Sequence, residues 1–218
     1  MQKKGVFITF EGGEGSGKST QIKLFAQYLQ EKGQDVIITR EPGATESGKQ
    51  IRRLLVEGDK DKFDELTETL LFYADRRINL TKIVKPALES GKIVLSDRHN
   101  DSTLAYQFYG AGKFKDTQIM DTLYALVTED APTPELTFLL DIAPEIGLKR
   151  SFAKAETMST KELRFEDKEL SFHNRLRQGY LTLAAKHKNR IKIINANQPK
   201  QAVLNDIIKA YENFINKA

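Results

Sequence analysis

The stretch Gly12-Gly13-Glu14-Gly15-Ser16-Gly17-Lys18-Ser19-Thr20 limits what this chain can fold into more than any other. It fits G-x-x-x-x-G-K-[ST] on Gly12, Gly17, Lys18 and Ser19. The apolar run Val6 to Phe10 reads as a buried strand, and Gln21 to Lys32 carries Ile22, Leu24, Phe25, Tyr28 and Leu29 near helical spacing. Strand, glycine-rich turn and helix together predict a loop that wraps phosphate groups. Glycines let backbone N–H groups converge on phosphate oxygens, and the helix N-terminus adds positive potential. Lys18 is then the residue for the β- and γ-phosphates, and Ser19 offers a hydroxyl to Mg²⁺. A nucleoside triphosphate is the expected ligand of residues 12–20. The competing reading, an ordinary Gly-rich turn with a solvated lysine, requires a pattern that arises by chance in roughly one chain in a hundred.

The rest of the chain must hold such a loop and say what it serves. Its 218 residues suit one sizeable domain, read here as 1–218 with a lid segment at about 147–165. The chain has no cysteine, which excludes a disulfide framework and thiolate zinc sites and fits a reducing, cytoplasmic setting. Met1 to Gly5 runs straight into the first strand, leaving no room for a signal peptide, and no apolar run is long enough for a bilayer. The net charge of +4 is dispersed, with several basic residues between 147 and 177. That pattern suits nucleotide phosphates, and neither a nucleic-acid nor a membrane partner is expected.

Apolar runs at 35–39, 93–96, 136–140 and 191–194 predict four more strands. Helical patterning fills 46–56, 64–89 with a bend or break near Pro86, 101–109, 115–128, a helix opened by Pro144, 165–188 and 199–216. Near-continuous apolar strands alternating with helices predict an α/β fold: a doubly wound, five-stranded parallel sheet with helices on both faces. Ligands of such sheets bind beyond the carboxyl ends of the strands. Attention therefore falls on 11–20, 40–45, 97–103 and 141 to about 165.

Several residues there have chemistry to offer. Glu11 and Glu14 stand in the loop, where a carboxylate is repelled by phosphate unless a metal or sugar hydroxyl receives it. Glu14 is read towards a second ligand or an Mg²⁺ shell; for Glu11 a role in holding the loop is at least as good. Phe72 and Arg76, four apart, share a helix face, and Leu66, Leu70 and Ala74 form another row expected to face the core. An aromatic plane beside a guanidinium suits a nucleobase, the alternative being amphipathic packing with a snorkelling arginine. Asp97 and Arg98 close the third strand, Arg98 suited to phosphate and Asp97 to Mg²⁺-bound water or an acceptor, whereas His99 reads as a packing or capping residue. Arg150 and Lys154 lie one turn apart, with Lys161 and Arg164 further on, in a segment that could close over phosphates or be a solvated helix end.

Taken in order, these stretches closely resemble the bacterial thymidylate kinase family, from residue 6 to about 200. The resemblance rests on Phe10-Glu11-Gly12, Thr39-Arg40-Glu41-Pro42-Gly43, Phe72-Tyr73-Ala74-Asp75-Arg76 and Asp97-Arg98-His99 with Ser102. It continues through Ala105-Tyr106-Gln107, Leu140-Asp141, Gly147-Leu148-Lys149-Arg150, Gly179-Tyr180-Leu181 and Asn195-Ala196. It implies Mg²⁺-dependent transfer of the γ-phosphoryl of ATP to dTMP by a P-loop nucleoside monophosphate kinase, usually a homodimer. It implies that Phe72 stacks on thymine, Arg76 binds the base oxygen and Arg98 the dTMP phosphate. Ser102, Thr103, Tyr106 and Gln107 would line the deoxynucleotide pocket, with Arg40 near the acceptor, Glu14 near the sugar 3′-hydroxyl or metal, and Arg150 and Asn195 on the ATP side. With Gly13, Glu14, Gly15 and Ser16 at the variable loop positions, none basic, the chain resembles members whose catalytic basic residue sits in the lid. It departs from the family at Lys154, where Arg is usual, at Leu163 in place of Asp, and at Ala44 in place of Gly. Rival readings are a P-loop kinase for another nucleoside or nucleoside monophosphate, or a nucleotide-binding module without turnover. A GTPase-type switch is disfavoured because no N-K-x-D motif is present.

Overall fold

A computed structural model describes residues 5–59, 62–112, 114–157, 165–166 and 168–216. Five strands, β1 (Val6–Glu11), β2 (Val36–Arg40), β3 (Ile93–Asp97), β4 (Leu136–Asp141) and β5 (Ile191–Asn195), form one parallel sheet in the order β2-β3-β1-β4-β5. All five strands fall where the apolar runs place them, each reaching one residue further into the polar ligand edge. β1 is central because both its faces are covered. Ile8 and Phe10 face one layer with Phe25 and Phe138, and Phe7 faces the other with Leu80, Val84 and Val94. Each such ring contributes about 1.5–3 kcal/mol by burial. Thr9 and Thr137, polar yet fully buried, satisfy each other through a 2.7 Å hydrogen bond.

Strand register positions the site. Phe10 stands opposite Asp97 of β3, Glu11 opposite Leu139 of β4, and Arg40 of β2 opposite Asp97. Glu11, Arg40 and Asp97 therefore end at one level, the carboxyl edge of the sheet.

The helices are α1 (Lys18–Glu31), α2 (Glu46–Val56), α3 (Glu65–Asn79), α4 (Lys85–Glu89), α5 (Asn100–Thr103), α6 (Gln118–Thr128), α7 (Pro144–Thr157), α8 (Leu170–Lys186) and α9 (Lys200–Ile215). The helix expected over 64–89 is interrupted before Pro86, by a π turn at Leu80–Val84. Proline lacks the N–H for Lys82 and its ring crowds that carbonyl, so the wider turn relieves both. A second π turn, Leu104–Gly110, replaces most of the helix expected over 101–109 and carries Tyr106 and Gln107. α8 begins at Leu170 and not at 165, because Phe165 and Glu166 form a turn.

One packing expectation is overturned. Leu66 and Leu70 are 40% and 47% exposed, and Ala74 is exposed with them. The buried line of α3 is Thr69, Tyr73 and Arg76. That line is polar because it faces the carboxyl edge of the sheet, which leaves the apolar row of α3 outside, beside α2 and α6.

Candidate functional site

The glycine-rich loop follows β1 directly, and Gly12, Gly15 and Gly17 all adopt positive φ. Two of these positions admit no side chain. A Cβ on Gly12 would lie 2.5 Å from the Leu140 carbonyl oxygen, and one on Gly15 only 1.9 Å from that of Gly147. The second contact docks the loop, backbone to backbone, on α7. Gly147, Arg150 and Lys154, spaced three and four residues apart, share one face of that helix, and this face carries the contact. Gly17 precedes the first turn of α1. The first N–H groups of α1 are therefore oriented for an anion.

Lys18 lies under the loop, its Nζ donating to the carbonyls of Gly12 (2.9 Å) and Gly13 (3.0 Å). Burial and the nearby Arg98 charge lower its pKa to about 8, against the opposite pull of Glu14 and Asp97. Ser19 Oγ donates to Asp97 Oδ2 at 3.1 Å. The two residues read as Mg²⁺ ligands thus come together, and hydroxyl and carboxylate oxygens are the donors a hard divalent cation takes.

Arg98 is the hub. It is the one non-glycine residue with positive φ (75°) among those described, and its N–H donates to Phe10 O. Its guanidinium donates to Gly12 O (3.0 Å), Ser102 Oγ (3.1 Å), Tyr180 Oη (3.2 Å), Glu14 Oε1 (2.9 Å) and Tyr106 Oη (2.9 Å). Tyr106 also donates to Glu14. Burial pushes the Glu14 carboxyl up, but Arg98, then Lys18, then the Tyr106 hydroxyl outweigh it and hold it below the ordinary range. Glu14 is therefore an ion-paired acid facing the cavity, and not a solvated one.

Glu11 takes the loop-holding alternative: it accepts from His99 N (2.8 Å) and from Ser102 Oγ. Burial, then the Asp101 carboxylate, raise its pKa to about 8. Asp101 is itself clamped by both terminal nitrogens of Arg190.

A second buried cluster lies beneath Arg76, which is 1% exposed. Arg76 Nε donates to Glu41 Oε2 (2.7 Å), Nη2 to Thr103 Oγ1 (2.9 Å) and Nη1 to Asn100 Oδ1 (3.3 Å). Glu41 also accepts from Asn79 Nδ2 (3.1 Å) and contacts His99 Nδ1 (3.1 Å). Burial raises the Glu41 pKa, but Arg76 and then His99 prevail and bring it to about 2. His99, with its pKa lowered by burial, packs between Phe7 and Tyr124 as a structural residue. Removing Arg76 would strand a buried carboxylate at a cost of about 3–5 kcal/mol. Truncation there tests the fold before it tests any base contact.

Loop and cluster open into one cavity of about 480 Å³, a size usual for small-ligand sites. Its walls include Phe72, Arg76 and Tyr106 on one side and Lys18, Arg150 and Lys154 on the other, with Arg40, Thr103 and Gln107 also lining it. Gln107 is fixed by donating to Glu68 (2.7 Å). Arg150 donates to Ala196 O (3.1 Å). Asn195 Oδ1 instead accepts from Asn197 N (2.9 Å), and Asn195 is not among the cavity-lining residues. Lys161 and Arg164 lie outside the described residues. Reading the sequence missed Glu41, Asn100, Phe165 and Glu166. The signal for Glu41 was present: an acid next to Arg40 at a strand's carboxyl end, in a turn too apolar to solvate it.

The thymidylate kinase family model matches residues 10–207. A thymidylate kinase from Maridesulfovibrio salexigens is 44% identical over 204 residues, 93% of each chain. One from Ruegeria pomeroyi is 41% identical over 217 residues, 100% of this chain and 99% of its own. The solved structure of thymidylate kinase from Ehrlichia chaffeensis superposes with a TM-score of 0.74 at 35% identity, covering 95% of this chain and 99% of that one.

The Glu11 carboxyl gives a pH test. Its pKa is raised in the folded state, so its contribution to stability is fully present below the unfolded value and is lost as pH rises through about 8. Glu11→Gln cannot titrate. Tm measured from pH 6 to pH 9 should fall further in the parent protein than in Glu11→Gln; parallel curves would contradict this assignment.

Proposed function

The chain belongs to the thymidylate kinase family, and from that premise we propose that it transfers the γ-phosphoryl group of ATP to dTMP, giving dTDP and ADP. The observation that carries the reading is the meeting, in one cavity, of a phosphate loop with the Phe72–Arg76–Tyr106 wall, bridged by Arg98. ATP phosphates fit the loop and Lys18; the dTMP phosphate fits Arg98, with thymine against Phe72 and Arg76. Tyr106 and Glu14 stand where the deoxyribose would lie.

In the reaction an oxygen of the dTMP phosphate attacks the γ-phosphorus while the bond to the ADP oxygen breaks. A phosphate monoester has a second pKa near 6, so the acceptor is already a dianion at neutral pH. No strong base is needed, which agrees with His99 being committed to Glu41. The protein's part is placement and charge. Ser19 and Asp97 would hold Mg²⁺, which when bound neutralises charge on the phosphate oxygens. Arg150 and Lys154 supply further positive charge from the α7 face docked on the loop.

Exposed Leu54, Leu66, Leu70, Ile119 and Leu126 lie on α2, α3 and α6, and α3 packs against both neighbours. Such a face supports a homodimer built on these helices. No helix among the described residues is long and apolar enough to cross a membrane, and a cysteine-free sequence agrees with a cytoplasmic location.

ADP release measured with ATP and a panel of nucleoside monophosphates should give the highest kcat/KM for dTMP; a higher value for dCMP or a purine monophosphate would overturn the assignment. Lys154→Ala should lower kcat by roughly ten- to a hundredfold with a smaller rise in the KM for dTMP, and Lys154→Arg should retain activity. An unchanged kcat in Lys154→Ala would remove this role from Lys154 and leave Arg150, Lys161 or Arg164 to supply the charge.

A further inference from the structure

Phe165 belongs to none of the motifs above, yet it lines the same cavity. It stands in the turn before α8 and is half-buried. Its ring is perpendicular to Tyr106 with centroids 5.5 Å apart, and tilted 48° to Phe72 at 6.4 Å. Tyr106 is backed in turn by Phe172, at 6.1 Å.

Two helices hold this turn. Ser151 Oγ on α7 donates to Glu166 Oε1 at 3.0 Å. The turn is closed by Lys168 N donating to Phe165 O at 3.2 Å, and the imidazole of His173, 3% exposed in the first turn of α8, lies beside its backbone. The ring is therefore placed by the same helix, α7, that carries Arg150 and Lys154.

A planar base sandwiched between two rings needs them about 7 Å apart and parallel, at 3.5 Å per contact. Phe72 and Phe165 are nearer than that and tilted. A base stacked on Phe72 must then present its apolar edge to Phe165. Resting on the dTMP reading given above, we propose that Phe165 is a specificity-determining residue, forming with Phe72 and Tyr106 an apolar socket for the edge of the acceptor base. A pyrimidine edge bearing a methyl group fills such a socket better than one bearing hydrogen, and one such carbon is worth roughly 10- to 200-fold in kcat/KM.

The test is steady-state kinetics on Phe165→Ala and Phe165→Leu with ATP saturating. Phe165→Ala should raise the KM for dTMP about tenfold and narrow the preference for dTMP over dUMP, with the KM for ATP unchanged; Phe165→Leu should recover most of both. An unchanged KM for dTMP would overturn the proposal, and so would a lowered one, which would mean that the ring blocks the pocket. Because the chain has no tryptophan, Phe165→Trp supplies an independent reporter. Its emission should shift on addition of dTMP alone and saturate; no shift at a dTMP concentration that saturates turnover would overturn the proposal. If the parent protein itself failed to turn over dTMP, the dTMP assignment would fall; normal parental turnover with an indifferent Phe165→Ala would remove only the role of Phe165.

Discussion

The site is organised around the Arg98 guanidinium and its bonds to the Gly12 carbonyl, Glu14, Ser102, Tyr106 and Tyr180. These partners come from the phosphate loop, the α5 segment, the π turn after it and α8. Five donor contacts offset a left-handed backbone that costs about 1–3 kcal/mol in a residue with a side chain. The strained turn is also what aims the side chain back across the loop, away from the direction in which β3 runs. In the proposed reaction this one cation faces the acceptor phosphate, so the loop and the acceptor wall are fixed relative to each other before either nucleotide arrives.

Beneath it, the Glu41–Arg76 pair fixes the wall against which the base is proposed to sit. Both side chains are almost fully buried, and such a pair holds only when its remaining donors and acceptors are satisfied. Asn79, His99, Asn100 and Thr103 supply that satisfaction. The consequence is a rigid floor. Arg76 cannot swing to follow a misplaced ligand, which favours discrimination over accommodation. α7 adds the third fixed element, because its glycine contact with the loop sets where Arg150 and Lys154 stand relative to the loop.

Much of this was legible in the residues. The strands, the phosphate loop and the ligand edge follow from apolar runs and glycine spacing, which are local signals. Ser19 and Asp97, 78 residues apart, could be paired in advance because parallel topology sends both to the same edge. What escaped was set by tertiary packing. The Leu66–Leu70–Ala74 row has the spacing of a core face, yet α3 turns its polar line inward towards Glu41 and Asn100. Glu41 carried a local signal beside Arg40, but its pairing with Arg76, Asn79 and His99 joins residues 35 or more apart and shows only in the fold. Phe165 escaped because its neighbours, Phe72 and Tyr106, are distant in sequence and the helical pattern read from 165 hides the turn in which it stands.

In the proposed reaction Arg98 and its partners form a prepared seat for the phosphate of the acceptor. Calorimetric titration of the ligand-free protein with dTMP and with thymidine, at one ionic strength, tests it most directly. dTMP should bind at least about a hundredfold more tightly, the difference expected when a desolvated guanidinium meets a phosphate. Equal affinity for the two would show that the base alone determines binding, and would contradict the role given to Arg98.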